Sequence, residues 1–503
     1  MRLLYVLHQF YPHHITGTEQ YVLGLAREAR RRGHQVAIFT LEPDFLLGWP
    51  GLKVWNDAVE EIPVHRVSIG NVLFANPVLA EYESPIVARV FEDVISKVRP
   101  DVVHAFHLRY LGSNQIELAR ALGLPVVVHL MDFWFLCPHF TLLRPDGRLC
   151  AGPASPEAHC LSCAYAGLHR ILEGGGGPRE VSFPAYAPGL LRHTDVLGDL
   201  LLAAVRRVDR QREALGSSSL IVAPSRFLRE TFAANGFDVS RVRVVPYGVD
   251  MTRFAGYRKE AGHDLRVGFI GTIAQHKGLH VLIEAFRQVE VREASLHVYG
   301  RLDDYPDYAR DRRFQARDDD RIHFHGPFAA GELGKVLSGI DLLAIPSLWY
   351  ENTPFVALEA MAAGIPVLAS RLGGLTEVLE DGVNGLSFAP GDAGELRAHL
   401  ESLARDRARV ARMSTAIPRP RTLSDNLDDL ERIYGDLMSE TKARWTDEPR
   451  GEELGAENER LRRELQLRER QVRDLYDQLT ALAARWLREH DREGSPCGGA
   501  APK

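Results

Sequence analysis

The chain has 503 residues, too many for one ordinary domain, with 45% apolar and 25% charged residues, the profile of a folded, water-soluble protein of two or three units. A formal net charge of -6 argues against a nucleic-acid binder, which carries a basic footprint. No run approaches the roughly 18 apolar residues a membrane span needs, and Leu3–Leu7 is too short for the core of a signal peptide, so a cytoplasmic location is expected. Five cysteines in such a chain point to reduced thiols or a metal site before a disulfide framework.

Taken in order, Leu3–Leu7 reads as a buried strand, followed by a loop containing Thr16-Gly17-Thr18-Glu19. Tyr21–Arg32 has the apolar spacing of a helix, with Gly33 where a C-cap belongs. Strand runs follow at Val36–Phe39, Asp101–Ala105 and Pro125–Val128, and later at Leu220–Pro224 and Val242–Val245. Short apolar strands separated by helices indicate a parallel sheet covered on both faces. Residues 137–190 break the rhythm with prolines, four cysteines and Gly174–Gly177, and read as an insertion or lid.

A second series begins after Tyr247-Gly248: Arg266–Ile270, Ser295–Tyr299, Asp341–Ile345 and Pro366–Ala369. The expected architecture is α/β: two Rossmann-like domains facing a cleft, at 1–247 and 248–415, then a closing helical segment at 416–445. Ligands of such sheets bind at the carboxyl ends of the strands. From Leu454 to Trp486 apolar residues step by four and three, broken at Asn458 and Arg468. Residues 452–490 therefore read as a coiled coil able to pair copies of the chain, or as one solvated helix, and 491–503 as a disordered tail.

The segment richest in chemistry is Tyr350–Val367. Glu351 and Glu359 lie eight positions apart, the first in a loop and the second on a helix. Amides at a helix start suit an anionic or hydroxyl-rich ligand, and a carboxylate on that helix can accept from the two hydroxyls of a ribose. With Ala360-Met361-Ala362-Ala363-Gly364-Ile365-Pro366-Val367 behind them, these residues resemble the signature of retaining glycosyltransferase family 4, of the GT-B fold. The resemblance covers most of residues 1–415. It implies that Glu351 faces a donor sugar, that amides of Asn352, Thr353 and Phe355 line it, and that Glu359 binds the ribose. Pro354 stands where the family has a residue with an N–H, so one donor amide is lost.

Gly271-Thr272 through His276-Lys277-Gly278 is similar to the family's phosphate-binding segment, which implies that Lys277 neutralises a departing diphosphate. The family often has arginine at the position of Thr272; Arg226 and Arg301 are candidates to compensate. Thr16-Gly17-Thr18-Glu19 is similar to its Gly-Gly-x-Glu loop, with Gly17 permitting close approach to the diphosphate. Members carry a histidine directly before Asp-aromatic-Trp, but here Met131 precedes Asp132-Phe133-Trp134. Either His129, two residues earlier on the same strand face, takes that catalytic role or the role is absent.

Cys137, Cys150, Cys160 and Cys163 suit a structural zinc, with His139 or His159 as alternative ligands, or they are unbound thiols. No metal or other cofactor is expected in catalysis, since the Asp-x-Asp at 318–320 sits in a polar loop. Arginines at 27, 30–32 and at 206, 207, 210 and 212 suit helix dipoles or contact with anionic lipid on the inner membrane face. The expected partners are a nucleoside diphosphate sugar and a glycan or lipid-linked acceptor, the sugar moving with its anomeric configuration retained. The competing expectation is a non-catalytic sugar-nucleotide- or glycan-binding subunit acting through its coiled coil; a third, a sugar-nucleotide epimerase, fits the Glu351/Glu359 block less well.

Overall fold

The computed structural model describes residues 1–42, 52–69, 77–144, 146–153, 160, 163, 194–254, 258–259 and 262–447. The coiled-coil expectation for 452–490, the expected tail and most of the 137–190 insertion lie outside these residues.

Eight strands make the first sheet: β1 (Arg2–Leu7), β2 (Gln35–Leu41), β3 (Leu52–Val59), β4 (Ile62–Ile69), β5 (Val102–Ala105), β6 (Val126–His129), β7 (Leu220–Ala223) and β8 (Val242–Val244). Their order is β3-β4-β2-β1-β5-β6-β7-β8, parallel throughout except for the β3–β4 hairpin. The second sheet holds β9 (Leu265–Ile270), β10 (Ala294–Tyr299), β11 (Ile322–Gly326), β12 (Leu342–Ile345), β13 (Val367–Ser370) and β14 (Gly385–Phe388), ordered β11-β10-β9-β12-β13-β14 and all parallel.

The central strands of both sheets read as unbroken apolar runs because both faces are covered. In β1, Leu4 and Val6 enter one core cluster while Leu3, Tyr5 and Leu7 enter the other. The first helix, Gly17–Arg31, starts four residues earlier than its apolar spacing suggests, because Glu19 folds back to accept the Thr16 amide at 2.7 Å. Four strands escape the sequence reading. In β3 nearly every side chain is exposed or half-exposed, and its turn into β4 uses Glu60 and Glu61 at φ 49° and 63°, without the glycine or asparagine that signals such a turn. β4, β11 and β14 are the others.

The chain passes between the halves twice, near Val249 and Thr422, and a parallel bridge pairs these two crossings. The helix Leu423–Asp447 then returns to the first half, burying Leu427, Leu430, Ile433 and Tyr434 in its core. Tyr21 Oη donates to Asn426 Oδ1 at 2.7 Å and Asn426 Nδ2 to the Pro246 carbonyl at 2.8 Å, so this helix holds the crossing in place.

Candidate active site

The carboxyl ends of β9 and β12 lie next to one another in the second sheet, because those strands are hydrogen-bonded neighbours. The loop after β9 carries Gly271 and Thr272 and runs into the short 3-10 turn Gln275–Lys277; the loop after β12 carries Ser347, Trp349 and Glu351. The Leu348 amide donates to the His276 carbonyl at 2.8 Å, which locks the two loops together. Lys277 Nζ then donates to Glu351 Oε1 at 2.7 Å and stands 4.7 Å from the Trp349 ring centroid. Ser347 Oγ and Trp349 Nε1 donate to the same carboxylate oxygen at 2.7 and 2.8 Å.

Glu351 is buried, and burial alone raises a carboxyl pKa, but the Lys277 ammonium and three hydrogen bonds more than offset it, so its pKa lies below the usual carboxylate range. Glu351 is thus a fixed anion with one loaded oxygen. From behind, the Gly374 amide donates to the Glu351 carbonyl at 2.7 Å, and a Cβ on Gly374 would stand 1.4 Å from the Asn352 carbonyl oxygen. Gly374 is therefore part of the site's framework.

Asn352 ties the halves together. Ser225 Oγ donates to its Oδ1 at 2.9 Å, and its Nδ2 donates to the Met131 carbonyl at 3.1 Å. Thr353 Oγ1 donates to the Asn352 carbonyl at 2.8 Å. The helix Phe355–Ala362 starts after Pro354, and its first ring crosses to the other half: Phe355 lies 5.5 Å from Tyr21 and 4.5 Å from Tyr247, centroid to centroid. Such aromatic pairs contribute about 0.5–1.5 kcal/mol each beyond area burial. Gly17 faces this ring, and a Cβ there would stand 2.8 Å from Phe355 Cδ2, so its close approach is to the opposite half of the protein.

Glu359, further along the same helix, is ion-paired with Arg253 from the crossing segment. Burial pushes its pKa up, more than the Arg253 guanidinium pulls it down. Of the two arginines considered as substitutes at the phosphate segment, Arg226 and Arg301 are 74% and 68% exposed, and each has an acidic partner, Glu377 and Asp304. Arg301 follows the carboxyl end of β10, beside the loop that starts at Gly271.

On the first half the structure separates His129 from this group. His129 is 0% exposed, ringed by Tyr21, His104, Phe106 and Tyr247, and neither of its ring nitrogens has a partner. Burial lowers its pKa to about 3, so it is neutral. Met131 is held by its carbonyl on Asn352 and by Tyr247 Oη donating to its sulfur at 3.4 Å.

Next to Met131 in the chain is Asp132, to which sequence reasoning gave no role of its own. Trp134 N donates to its Oδ1 at 2.8 Å, and His107 Nε2 lies 3.1 Å from its Oδ2. His107 Nδ1 accepts the Arg109 amide at 3.3 Å, which puts the ring proton on Nε2 and makes His107 the donor to Asp132. Asp132 is a quarter exposed, one residue from the Met131–Asn352 bond. Arg253, Ser347, Trp349 and Gly374 were missed as well; a glycine pair at 373–374 after a strand was the one signal available.

Two α/β halves with parallel sheets, meeting at the carboxyl ends of their strands, define a GT-B architecture. Solved structures agree: Anabaena HepE in complex with UDP and glucose superposes with a TM-score of 0.56 at 18% identity, covering 86% of this chain and 99% of that one. Sucrose-phosphate synthase from Thermosynechococcus elongatus gives 0.58 at 15% identity, covering 87% and 100%. Residues 16–248 match the family model "Glycosyl transferase 4-like domain" and residues 264–406 match "Glycosyl transferases group 1". The chain belongs to the group 1 glycosyltransferases, family 4. It is similar to the D-inositol 3-phosphate glycosyltransferase of Nocardia farcinica, 29% identical over 413 residues, covering 79% of each chain. The corresponding enzyme of Stackebrandtia nassauensis is 32% identical over 222 residues, 40% of this chain and 50% of that one, so the chain spans only half the length of that relative. No helix among the described residues is long and apolar enough to cross a membrane.

Proposed function

We propose that the chain transfers a hexosyl group from a nucleoside diphosphate sugar to a hydroxyl of a glycan or lipid-linked acceptor, with the anomeric configuration retained. The observation that carries this reading is the Lys277–Glu351 pair, an anion and a cation fixed at 2.7 Å where two strand ends meet. In the proposed step the bond from the anomeric carbon to the diphosphate oxygen breaks, and the acceptor oxygen bonds that carbon on the same face. The acceptor proton passes to the departing phosphate. Lys277 offsets the charge growing on that phosphate, where a preorganised cation counts most. Glu351 holds Lys277 and faces the donor sugar, while Glu359, with Arg253 moved aside, accepts from the ribose.

UDP-glucose is the first donor to try, since the Anabaena neighbour was solved with UDP and glucose. The test is a thermal-shift screen of the wild type and Glu359→Ala against nucleoside diphosphate sugars, followed by assay of nucleotide release. A donor that stabilises the wild type but not the variant supports the reading, since a ligand bound to the folded state alone raises stability by mass action. No shift with any donor at roughly millimolar concentration sinks it. The second reading, a non-catalytic sugar-nucleotide-binding subunit, draws on Met131 at the position where family members carry histidine. Donor binding without nucleotide release on any acceptor would favour it.

A further inference from the structure

Away from the glutamates lies a loop organised around sulfur. Cys137, Cys150, Cys160 and Cys163 are all free thiols. Cys137 Sγ accepts backbone N–H groups of His139, Thr141 and Leu142. The Leu142 carbonyl in turn accepts the Cys150 amide at 2.8 Å, next to an antiparallel bridge between Leu143 and Leu149. The Gly152 amide donates to Cys150 Sγ at 3.4 Å. His139 Nε2 holds the Cys163 carbonyl at 2.7 Å, which brings Cys163 onto the same hairpin. Phe140 and Leu142 take φ of 51° and 50°, a cost that non-glycine residues bear only where the surroundings impose it.

Amides aimed at sulfur are weak partners for a thiol and strong ones for a thiolate. The four sulfurs are near one another: Cys160 lies within electrostatic reach of Cys137, Cys150 and Cys163. As they stand, no three His, Cys, Asp or Glu side chains among the described residues are placed to hold a metal ion. A divalent ion supplies the charge that the amides and the spacing await.

We propose that Cys137, Cys150, Cys160 and Cys163 are the four ligands of a structural zinc site, whose ion draws the sulfurs together and fixes this loop. Binding releases the four thiol protons to solvent, and the two net negative charges left on the site face the guanidinium groups of Arg144 and Arg207. Four protein ligands leave no open position, so the ion does no chemistry. It stiffens the ground beside the cleft: Cys137, Cys150 and Tyr350 pack on the same core cluster, and Tyr350 adjoins Glu351.

The experiment is metal analysis of the purified full-length chain by mass spectrometry, with thiol counting before and after a mercurial displaces bound metal. About one zinc per chain is expected, with four of the five cysteines protected until displacement. Co(II) added to the reduced, metal-free protein should give the thiolate-to-cobalt charge-transfer band of a tetrahedral site. The double variant Cys160→Ser/Cys163→Ser should lose the zinc. Absence of zinc together with no cobalt band overturns the proposal, as do two disulfides in the purified protein. Full zinc retention in the double variant overturns the ligand set. The cobalt titration uses the unaltered sequence, so a variant that fails to fold leaves the test intact.

Discussion

The two rims of the cleft are built on the same kind of parallel sheet, but they present polar groups in opposite ways. On the second half, Glu351 sits in a cage of three donors assembled from two adjacent loops. On the first half, two histidines of the sheet, His104 and His129, are sealed inside an aromatic core, and Asp132, a quarter exposed, is held by His107 and the Trp134 amide. The second half fixes an ion pair at its rim, whereas the first presents a carboxylate held by a histidine and a backbone amide. This division of labour is what the proposed reaction needs, and it is where variants can break it.

The largest effect is expected at the cage. Glu351→Gln keeps the shape but removes the anion that holds Lys277, and kcat for nucleotide release should fall by about 10²–10³-fold. Unchanged turnover, in a variant that melts like the wild type, would end the proposed role of this pair. Next comes Glu359→Ala, which removes a carboxylate proposed to accept from the ribose. Hydrogen bonds to a charged group contribute about 1.5–3 kcal/mol, so donor affinity should weaken roughly 10- to 100-fold, with little change in kcat for saturating donor. An equal fall in kcat would mean that the helix also orients the sugar.

Asp132→Asn sharpens the comparison from the other rim. Its loss should reduce transfer about tenfold while donor affinity, measured by titration calorimetry, stays as in the wild type. A parallel loss of donor affinity would move Asp132 to the donor side. His107→Gln, which keeps a donor near Asp132 Oδ2, should fall between the two.

The same contrast explains what could be read from the chain. Most of the ten strands legible in the sequence announce themselves as apolar runs because both their faces are buried, the edge strand β8 being the exposed exception, and the Glu351–Val367 block is contiguous because one loop and one helix supply it. β3 was silent because its residues face water and its turn lacks a glycine. The Asp132–His107 contact joins residues 25 apart on different strand ends, and Arg253 reaches Glu359 across 106 residues. No local spacing encodes such pairs. At Gly17 the residue was legible but its neighbour was not, since Phe355 comes from the opposite half.

The smallest effect on activity is expected at His129, and the measurement is chiefly one of stability. Its side chain stands among four aromatic rings, and a neutral imidazole with two unpartnered nitrogens gains nothing from its burial that the phenyl ring of a His129→Phe variant would lose. Turnover should stay within about twofold, because the replacement keeps a ring of similar breadth. The pH dependence separates the two proteins. His129 has a folded pKa of about 3 against 6.5 for the free side chain, so between these values the unfolded chain takes up a proton that the folded chain refuses. Stability is therefore full above about pH 6.5 and is lost as pH falls toward 3, at ~1.4 kcal/mol per pH unit for each such group. Buried His104 is lowered in the same sense and adds to the slope. Urea midpoints across about pH 4–7 should accordingly fall less steeply in His129→Phe than in the wild type, by close to one proton's worth. Equal slopes would show that acid reaches His129 without unfolding the half, and a large loss of turnover would return this histidine to the cleft.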